Sequence, residues 1–397
     1  MPISLLREEA CVPQASARRL YFTGPIFDRP LSCGTFIGYY QGVLFMATMF
    51  VHTADLHLRQ DQPVRMEILS WIVAYCQQSS ANLIIAGDLF DSNLDAALLR
   101  PRVRHILREV PGSVILIAGN HDADSYGEDV EYGSNVIVLR PNCPYIDVDG
   151  VRIAGVPFVP DTKFSDYAQN LSELHKVDIL IAHGTFYDRR SSAVYLELGE
   201  DARYMPIYPW DVEGKARYIA LGHYHSRYSH FAVGVTDVVY PGSPVATSTR
   251  SVGQRHIGVI TSEGSQLRHH KKLIDIAEYW EHREWMVIPG REEQLLVAVE
   301  QDLAALAGPR VMLNGRVTGS VCMSETELDS RLKVLEDRYR SNYRALRITQ
   351  LVKHWNQLLR SPTLRLFVQK LSQSGANTKT KDRALELVLS AIERIRR

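Results

Sequence analysis

The chain has 397 residues, 45% of them hydrophobic, and its 45 basic residues balance 45 acidic ones. This composition excludes a disordered chain, and the length predicts a globular protein of two or three domains. The five cysteines are scattered and never spaced as C-x-x-C, which argues against a disulfide framework or a thiolate zinc site and favours a reducing, cytoplasmic location.

The first 48 residues show no periodicity. We predict an N-terminal extension over 1–48, either disordered or upstream of a true start at Met49. The uncharged stretch 34–51 is nearly long enough for a membrane helix. Glycines interrupt it and its end must serve as a core strand, so we expect no membrane association.

Five short apolar segments follow, each rich in Ile, Leu or Val and each stopped by glycine or polar residues, a pattern that predicts buried strands. The five segments read FMATMFVHTAD, NLIIAGD, SVILIAGN, DILIAHG and YIALGHYH. Amphipathic stretches at 64–78 and 94–110 separate the first three and predict crossover helices. The fold class is therefore α/β.

The later part of the chain predicts smaller units. Asp149-Gly150 and Glu263-Gly264 each stand between short strand-like runs and predict hairpins. A helix-strand-helix-strand pattern over 285–351 predicts a small α/β cap domain, in which Ser324 begins a capping box. The pattern over 352–397 predicts C-terminal helices. We assign 49–280 to the main domain.

Polar residues cluster where the five predicted strands end. Residues i and i+2 of an extended segment point the same way, and the carboxyl ends of strands in an open sheet meet at one edge, so we expect these side chains to converge. Carboxylates, imidazoles and an amide oxygen without thiolates suit Mn²⁺, Fe²⁺ or Zn²⁺. The residues are Asp55, His57, Asp88, Asn120, His121, Asp122, His183, His223 and His225. They exceed what one ion needs, and two ions sharing a carboxylate would use them economically. The other histidines are interpreted as ordinary core or surface residues.

The motifs at these strand ends resemble those of the calcineurin-like metallophosphoesterases over about 49–260. The matching stretches are D-x-H at Asp55, G-D at Gly87, G-N-H-D at Gly119, H-G at His183 and G-H-x-H at Gly222. The resemblance implies a two-sheet sandwich flanked by helices. HTADLHL, GDLFD and YPGSP resemble more narrowly the SbcD nucleases of DNA double-strand-break repair and the related YhaO proteins.

The resemblance also implies roles for individual residues. Asp55, His57 and His225 would hold one ion, whereas Asn120, His183 and His223 would hold the other. Asp88 would bridge the two ions, for which Mn²⁺ is expected before Fe²⁺ or Zn²⁺. His121 would then face the leaving group as a catalytic acid, and Asp122 would orient its imidazole.

The function predicted from this resemblance is a two-metal DNA nuclease that works in DNA repair with an SbcC-like coiled-coil ATPase, as a homodimer. From Arg331 onward lie 16 basic residues but only 5 acidic ones, which suits either DNA contact or solvated helix faces. Apolar residues of the last helices, such as Leu364 and Phe367, would dock on the ATPase or pack on their own domain. The alternatives are a metallophosphatase or phosphodiesterase acting on a small molecule or phosphoprotein, and a non-catalytic scaffold.

Overall fold

The computed structural model describes residues 37–40, 43–170, 177–187, 204–264 and 266–396. Most of the predicted extension 1–48 lies outside the described residues. Its described part forms an antiparallel pair of strands, Ile37–Tyr40 and Val43–Met46. No helix within the described ranges is long and apolar enough to cross a membrane.

Two compact units make up the chain. The first comprises Met1–Thr247 and Arg255–Asp275, and the second comprises Ser248–Gln254 and Ile276–Arg397. The division falls close to the predicted end of the main domain at 280.

One six-stranded sheet of the first unit contains the first three predicted strands. In spatial order its strands are Gln266–Leu273, His256–Glu263, Thr48–Thr53, Asn82–Ala86, Val114–Ile117 and Val136–Val138. The last four run parallel, whereas the first two form a hairpin that pairs antiparallel with Thr48–Thr53. We call this sheet one.

A second six-stranded sheet contains the other two predicted strands. In spatial order its strands are Ser229–Val233, Thr236–Tyr240, Tyr218–Gly222, Ile179–His183, Val151–Val156 and Tyr145–Val148. Its four inner strands are parallel and an antiparallel strand closes each edge. We call this sheet two. The hairpins predicted at Asp149-Gly150 and Glu263-Gly264 are both present.

The core of the first unit lies between the sheets. Phe50, Ile84 and Ile115 of sheet one pack with Ile179 and Ala220 of sheet two, and all five are fully buried. Parallel strands covered on both faces need apolar residues at successive positions, which explains the uninterrupted Ile, Leu and Val runs.

Two long helices connect the parallel strands of sheet one. Pro63–Ser79 begins with a proline at its first turn, where a missing N–H costs nothing. Asn93–Leu107 begins after Ser92, whose Oγ accepts a hydrogen bond from the Asp95 N–H at 3.1 Å. These are the predicted crossover helices. With the two sheets they form the predicted sandwich flanked by helices.

The second unit is built on a sheet of its own. Its strands Tyr279–Val287, Gly308–Val321 and Tyr343–Gln350 run parallel, and Lys353–His354 adds a short pairing to the middle strand. Helices Glu292–Ala305 and Glu325–Tyr339 cover the core, and Ser324 caps the second as predicted. The prediction for 285–351 missed the strand Tyr279–Val287, because its alternation is interrupted by charged residues.

The C-terminal helices are Trp355–Leu358, Pro362–Gln373 and Thr378–Arg396. The predicted first helix is split because Ser361 caps a new start at Pro362. Leu364, Leu389 and Leu358 form a small core against which Phe367 and Met286 pack, so this segment belongs to the same compact unit as the cap domain. Leu364 and Phe367 therefore pack within their own unit, as one of the two interpretations predicted.

Candidate metal centre

The predicted ligands follow the carboxyl ends of parallel strands in the first unit. Strand pairing aligns these ends: Gly222 pairs with His183, which places His223 directly beside His183. In sheet one, Thr53 pairs with Ile85, so the segments carrying Asp55 and Asp88 leave the sheet side by side. The topology therefore brings residues far apart in sequence to one end of the sandwich.

The backbone at this end of the sandwich adopts an unusual conformation. Asp55, His57, Asp88 and His223 have φ angles of 55°, 46°, 49° and 96°. Residues other than glycine rarely adopt positive φ, and such conformations cost of order 1–3 kcal/mol each unless the surroundings impose them. Four predicted ligands share this feature, which indicates that the loops are shaped to aim side chains.

Two glycines are required by close packing around the ligands. A Cβ on Gly119 would lie 2.1 Å from Oδ1 of Asp88, and one on Gly222 would lie 2.0 Å from the carbonyl oxygen of Ala86 and 2.8 Å from Nδ1 of His183. Any larger residue would displace a predicted ligand.

One group of ligand atoms surrounds the position predicted for the first ion. Single ligand atoms of Asp55, His57, Asp88 and His225 all lie within 4.8 Å of one another. Nε2 of His57 is 3.0 Å from Nε2 of His225, which in turn is 3.6 Å from Oδ1 of Asp55. All four side chains converge as predicted.

A second group adjoins the first. Oδ1 of Asn120 is 3.0 Å from Nε2 of His183 and 3.0 Å from Nδ1 of His223. The other ring nitrogen of His183 donates to the Ala86 carbonyl oxygen at 2.8 Å, so Nε2 carries the lone pair that faces Asn120 when the ring is neutral. These three residues also converge as predicted.

Asp88 lies between the two groups. Its Oδ1 accepts a hydrogen bond from the His121 N–H at 2.9 Å. Its Oδ2 is fully buried and lies 3.2 Å from Nε2 of His183 and 3.7 Å from Nε2 of His57. A buried carboxylate needs positive charge facing it. A pair of metal ions would satisfy it, so the residues present fit the predicted pair.

The charges within the site compensate one another. Burial would raise the pKa of Asp88, but the adjacent His183 holds that pKa well below its usual range. Burial would lower the pKa of His183, yet Asp88 raises it to about 9. Asp55 and His225 form a similar pair, in which the pKa of Asp55 is lowered and that of His225 is raised against the effect of burial. Protons therefore hold the places that cations would take, and metal uptake would release them.

His121 stands at the open side of the site. It is exposed, and its ring meets that of His57 edge-on at a centroid distance of 4.7 Å. Its Nδ1 lies 3.1 Å from the carbonyl oxygen of Asp91, which can only accept, so Nδ1 carries a hydrogen. Nε2 is then the atom available to hold or donate a second proton.

Asp122 has a different environment from the one predicted. Both of its oxygens are buried and accept hydrogen bonds from Gly119 N, Phe90 N and Tyr126 Oη, at 2.9, 3.1 and 2.6 Å. Burial and the nearby Asp88 raise its pKa to about 6. These contacts differ from the predicted one with the His121 ring: Asp122 ties the loop that carries Asn120 to the loop that follows Asp88.

Asp91 is the residue that sequence reasoning left unassigned. Its Oδ1 lies 3.1 Å from Nδ1 of His57, and its carbonyl oxygen accepts a hydrogen bond from Nδ1 of His121. A carboxylate behind a ligand histidine fixes the orientation and the tautomer of the ring. The signal was present in GDLFD, where Asp91 follows Asp88 by three residues, but only the folded loop shows which histidines it meets.

The YPGSP stretch, residues 240–244, makes hydrogen bonds to the backbone of the ligand loops. Oγ of buried Ser243 donates to the carbonyl oxygen of Asp55 at 2.7 Å, and its N–H donates to the carbonyl oxygen of His225 at 3.0 Å. Arg255, also fully buried, donates to the carbonyl oxygen of His225 at 2.9 Å. These bonds hold the two ligand loops together.

The comparison with known protein families agrees with this geometry. Residues 48–227 match the family model described as calcineurin-like phosphoesterase. No curated protein matches the chain significantly.

Several solved structures are similar to the chain at low identity. The NAD nucleotidase (NadN) of Haemophilus influenzae is 11% identical with a TM-score of 0.35, over 74% of this chain and 60% of that one. A 5'-nucleotidase precursor from Thermus thermophilus is 13% identical with a TM-score of 0.35, over 66% and 59%. Vps29 from Entamoeba histolytica, solved with Zn²⁺, is 12% identical with a TM-score of 0.25, over 57% and 99%. The chain thus spans about 60% of the length of the two nucleotidases.

The family match covers the strands and loops that carry every predicted ligand, and members of this family work with divalent metal ions. The family model, the two-sheet fold and the converging ligands agree, and residues 48–227 form a calcineurin-like metallophosphoesterase domain.

Proposed function

We propose that the first unit hydrolyses phosphate esters with two divalent metal ions. The observation that carries this proposal is the buried Asp88, whose Oδ2 lies between the two ligand groups, 3.2 Å from Nε2 of His183 and 3.7 Å from Nε2 of His57. Asp55, His57 and His225 would hold one ion, and Asn120, His183 and His223 the other. Mn²⁺ is the metal to test first, with Fe²⁺ and Zn²⁺ as alternatives.

The chemistry divides between the ions and the side chains. Bound at this site, the ions would lower the pKa of water and neutralise phosphate oxygens. His121, exposed and held by Asp91, would donate a proton from Nε2 to the leaving oxygen. Asp91 keeps the rings of His57 and His121 in place, and Asp122 holds the loop on which His121 stands.

A small-molecule phosphate ester is the first substrate class that we propose. The charge distribution of the second unit favours it over DNA. Arg331 pairs with Glu293, Arg338 with Glu300, and Arg344 with Glu278. Lys333 and Arg340 both contact Glu336.

Part of the basic charge after Arg331 is therefore neutralised inside its own unit, which weakens the argument for phosphate-backbone contact. Two of the similar structures are nucleotidases, and nucleotides are therefore among the substrates to test.

DNA is the second substrate class. The motifs HTADLHL, GDLFD and YPGSP favour a nuclease of the SbcD type, which would work in the cytoplasm as a homodimer with an SbcC-like ATPase. Leu366 is 53% exposed on the helix Pro362–Gln373 and is available to such a partner, unlike Leu364.

The test compares both classes under one condition. Metal-stripped protein receives Mn²⁺ and is given nucleoside monophosphates, bis-p-nitrophenyl phosphate, and linear and hairpin DNA, with Asp88→Asn as the inactive control. Metal-dependent release of phosphate from nucleotides without DNA cleavage supports the first class, and DNA cleavage supports the second. Equal activity of wild type and Asp88→Asn on every substrate would refute the proposed phosphoesterase.

A further inference from the structure

A second cluster of metal-ligating side chains lies in the first unit, on other strands than the site above. His230 is on Ser229–Val233, Asp237 is on Thr236–Tyr240, and His269 is on Gln266–Leu273. The first two strands belong to sheet two and the third belongs to sheet one. Ser229–Val233 and Gln266–Leu273 are edge strands of their sheets, so the cluster joins the two sheets along one border.

Strand register brings the cluster together. Ala232 pairs with Asp237, and His230, two residues from Ala232, points to the same face. Nε2 of His230 lies 2.7 Å from Oδ1 of Asp237, and Nε2 of His269 lies 3.4 Å from Oδ2 of the same carboxylate. The three ligand atoms all lie within 4.8 Å of one another.

The third ligand is prepared by its surroundings. Nδ1 of His269 is 3.3 Å from Oη of Tyr228, and this contact leaves Nε2 directed at Asp237. The side chain of His269 is 12% exposed, whereas those of His230 and Asp237 are 40% and 35% exposed, so an ion can enter from solvent.

We propose that His230, Asp237 and His269 form a binding site for a divalent transition-metal ion such as Zn²⁺. The bound ion would cross-link the two sheets along this border. Two imidazoles and a carboxylate are a common zinc ligand set, with water in the fourth position. Zn²⁺ bonds of about 2.0–2.1 Å in a tetrahedral site separate ligand atoms by about 3.3–3.4 Å. The pair Asp237–His269 already has this spacing at 3.4 Å, and the exposed His230, whose Nε2 is 2.7 Å from Oδ1 of Asp237, needs to move outward by about 0.6–0.7 Å.

The competing explanation is a hydrogen-bonded His–Asp–His group that binds no metal. Zinc stoichiometry distinguishes the two. The full chain is stripped with a chelator, dialysed against buffered free Zn²⁺, and analysed for zinc per chain. Wild type is compared with His230→Ala and Asp237→Asn, and with His270→Ala as the matched control. His270 neighbours His269 on the same strand, is exposed, and points to the opposite face.

We expect wild type and His270→Ala to hold one more zinc per chain than His230→Ala and Asp237→Asn. The same addition of Zn²⁺ should raise the melting temperature of wild type and His270→Ala more than that of the two site variants. If Asp237→Asn fails to fold, the exposed His230→Ala decides. Equal zinc content in wild type and His230→Ala overturns the site, whatever the phosphoesterase assays show.

Discussion

Replacing Asp91 by Asn tests the part of the site that sequence reasoning left unassigned. The change removes the charge 3.1 Å from Nδ1 of His57 and keeps the shape of the side chain. A hydrogen bond to a charged group contributes about 1.5–3 kcal/mol. The Asp91 side chain is 29% exposed, so we take the lower end, and about 1.4 kcal/mol is a factor of 10. The Mn²⁺ concentration for half-maximal activity should therefore rise about 10-fold, with about 100-fold as the upper bound for such carboxylates.

The assay is hydrolysis of bis-p-nitrophenyl phosphate against Mn²⁺ concentration, with metal binding followed by calorimetry. Asp61→Asn is the matched control, because Asp61 also pairs with Arg59 but contacts no site histidine in the described ranges. Its Mn²⁺ requirement should equal that of wild type. The positioning role of Asp91 is refuted if Asp91→Asn keeps the wild-type Mn²⁺ requirement, or if Asp61→Asn shifts it equally.

The other predictions concern the metal ligands, the catalytic acid and the core beside them. Asp88→Asn should lose at least one of two metal ions and nearly all turnover, more than Asp91→Asn, and elemental analysis that finds both ions would contradict the bridging role. His121→Asn should keep both metals and lose about 10² to 10⁴ in rate on natural leaving groups, but much less on p-nitrophenyl esters, which need no proton; equal losses on both would exclude acid catalysis. Burial lowers the pKa of His52 to about 3, so its neutral form is favoured in the folded state. Above pH 6.5 the ring is neutral in both the folded and the unfolded chain, so His52 does not make stability depend on pH. Between pH 6.5 and pH 3 only the unfolded chain binds a proton at His52, which lowers the free energy of unfolding by up to about 1.4 kcal/mol per pH unit. Denaturant titrations of metal-free wild type and His52→Gln at pH 7 and 5 should show that the free energy of unfolding falls less in the variant than in wild type between the two pH values.

The sheets and the convergence of the ligands could be predicted from the amino-acid sequence without coordinates. Uninterrupted runs such as Val114–Ile117 can be satisfied only by burial on both faces, and the residue at which each run stops is set locally by glycine and polar side chains. Parallel strands then place those ends at one edge, which is why Asp55, Asp88 and His183 could be assigned to one centre.

The contacts that side chains make across loops and sheet borders depended on tertiary packing. Asp122 follows His121 in sequence, but its carboxylate turns inward to Phe90 and Tyr126, because a buried loop must satisfy its own N–H groups first. His230 and His269 looked like ordinary histidines because they are distant in the chain and lie in two different sheets. Their meeting at Asp237 depends on how the edges of the two sheets pack, which no local pattern encodes.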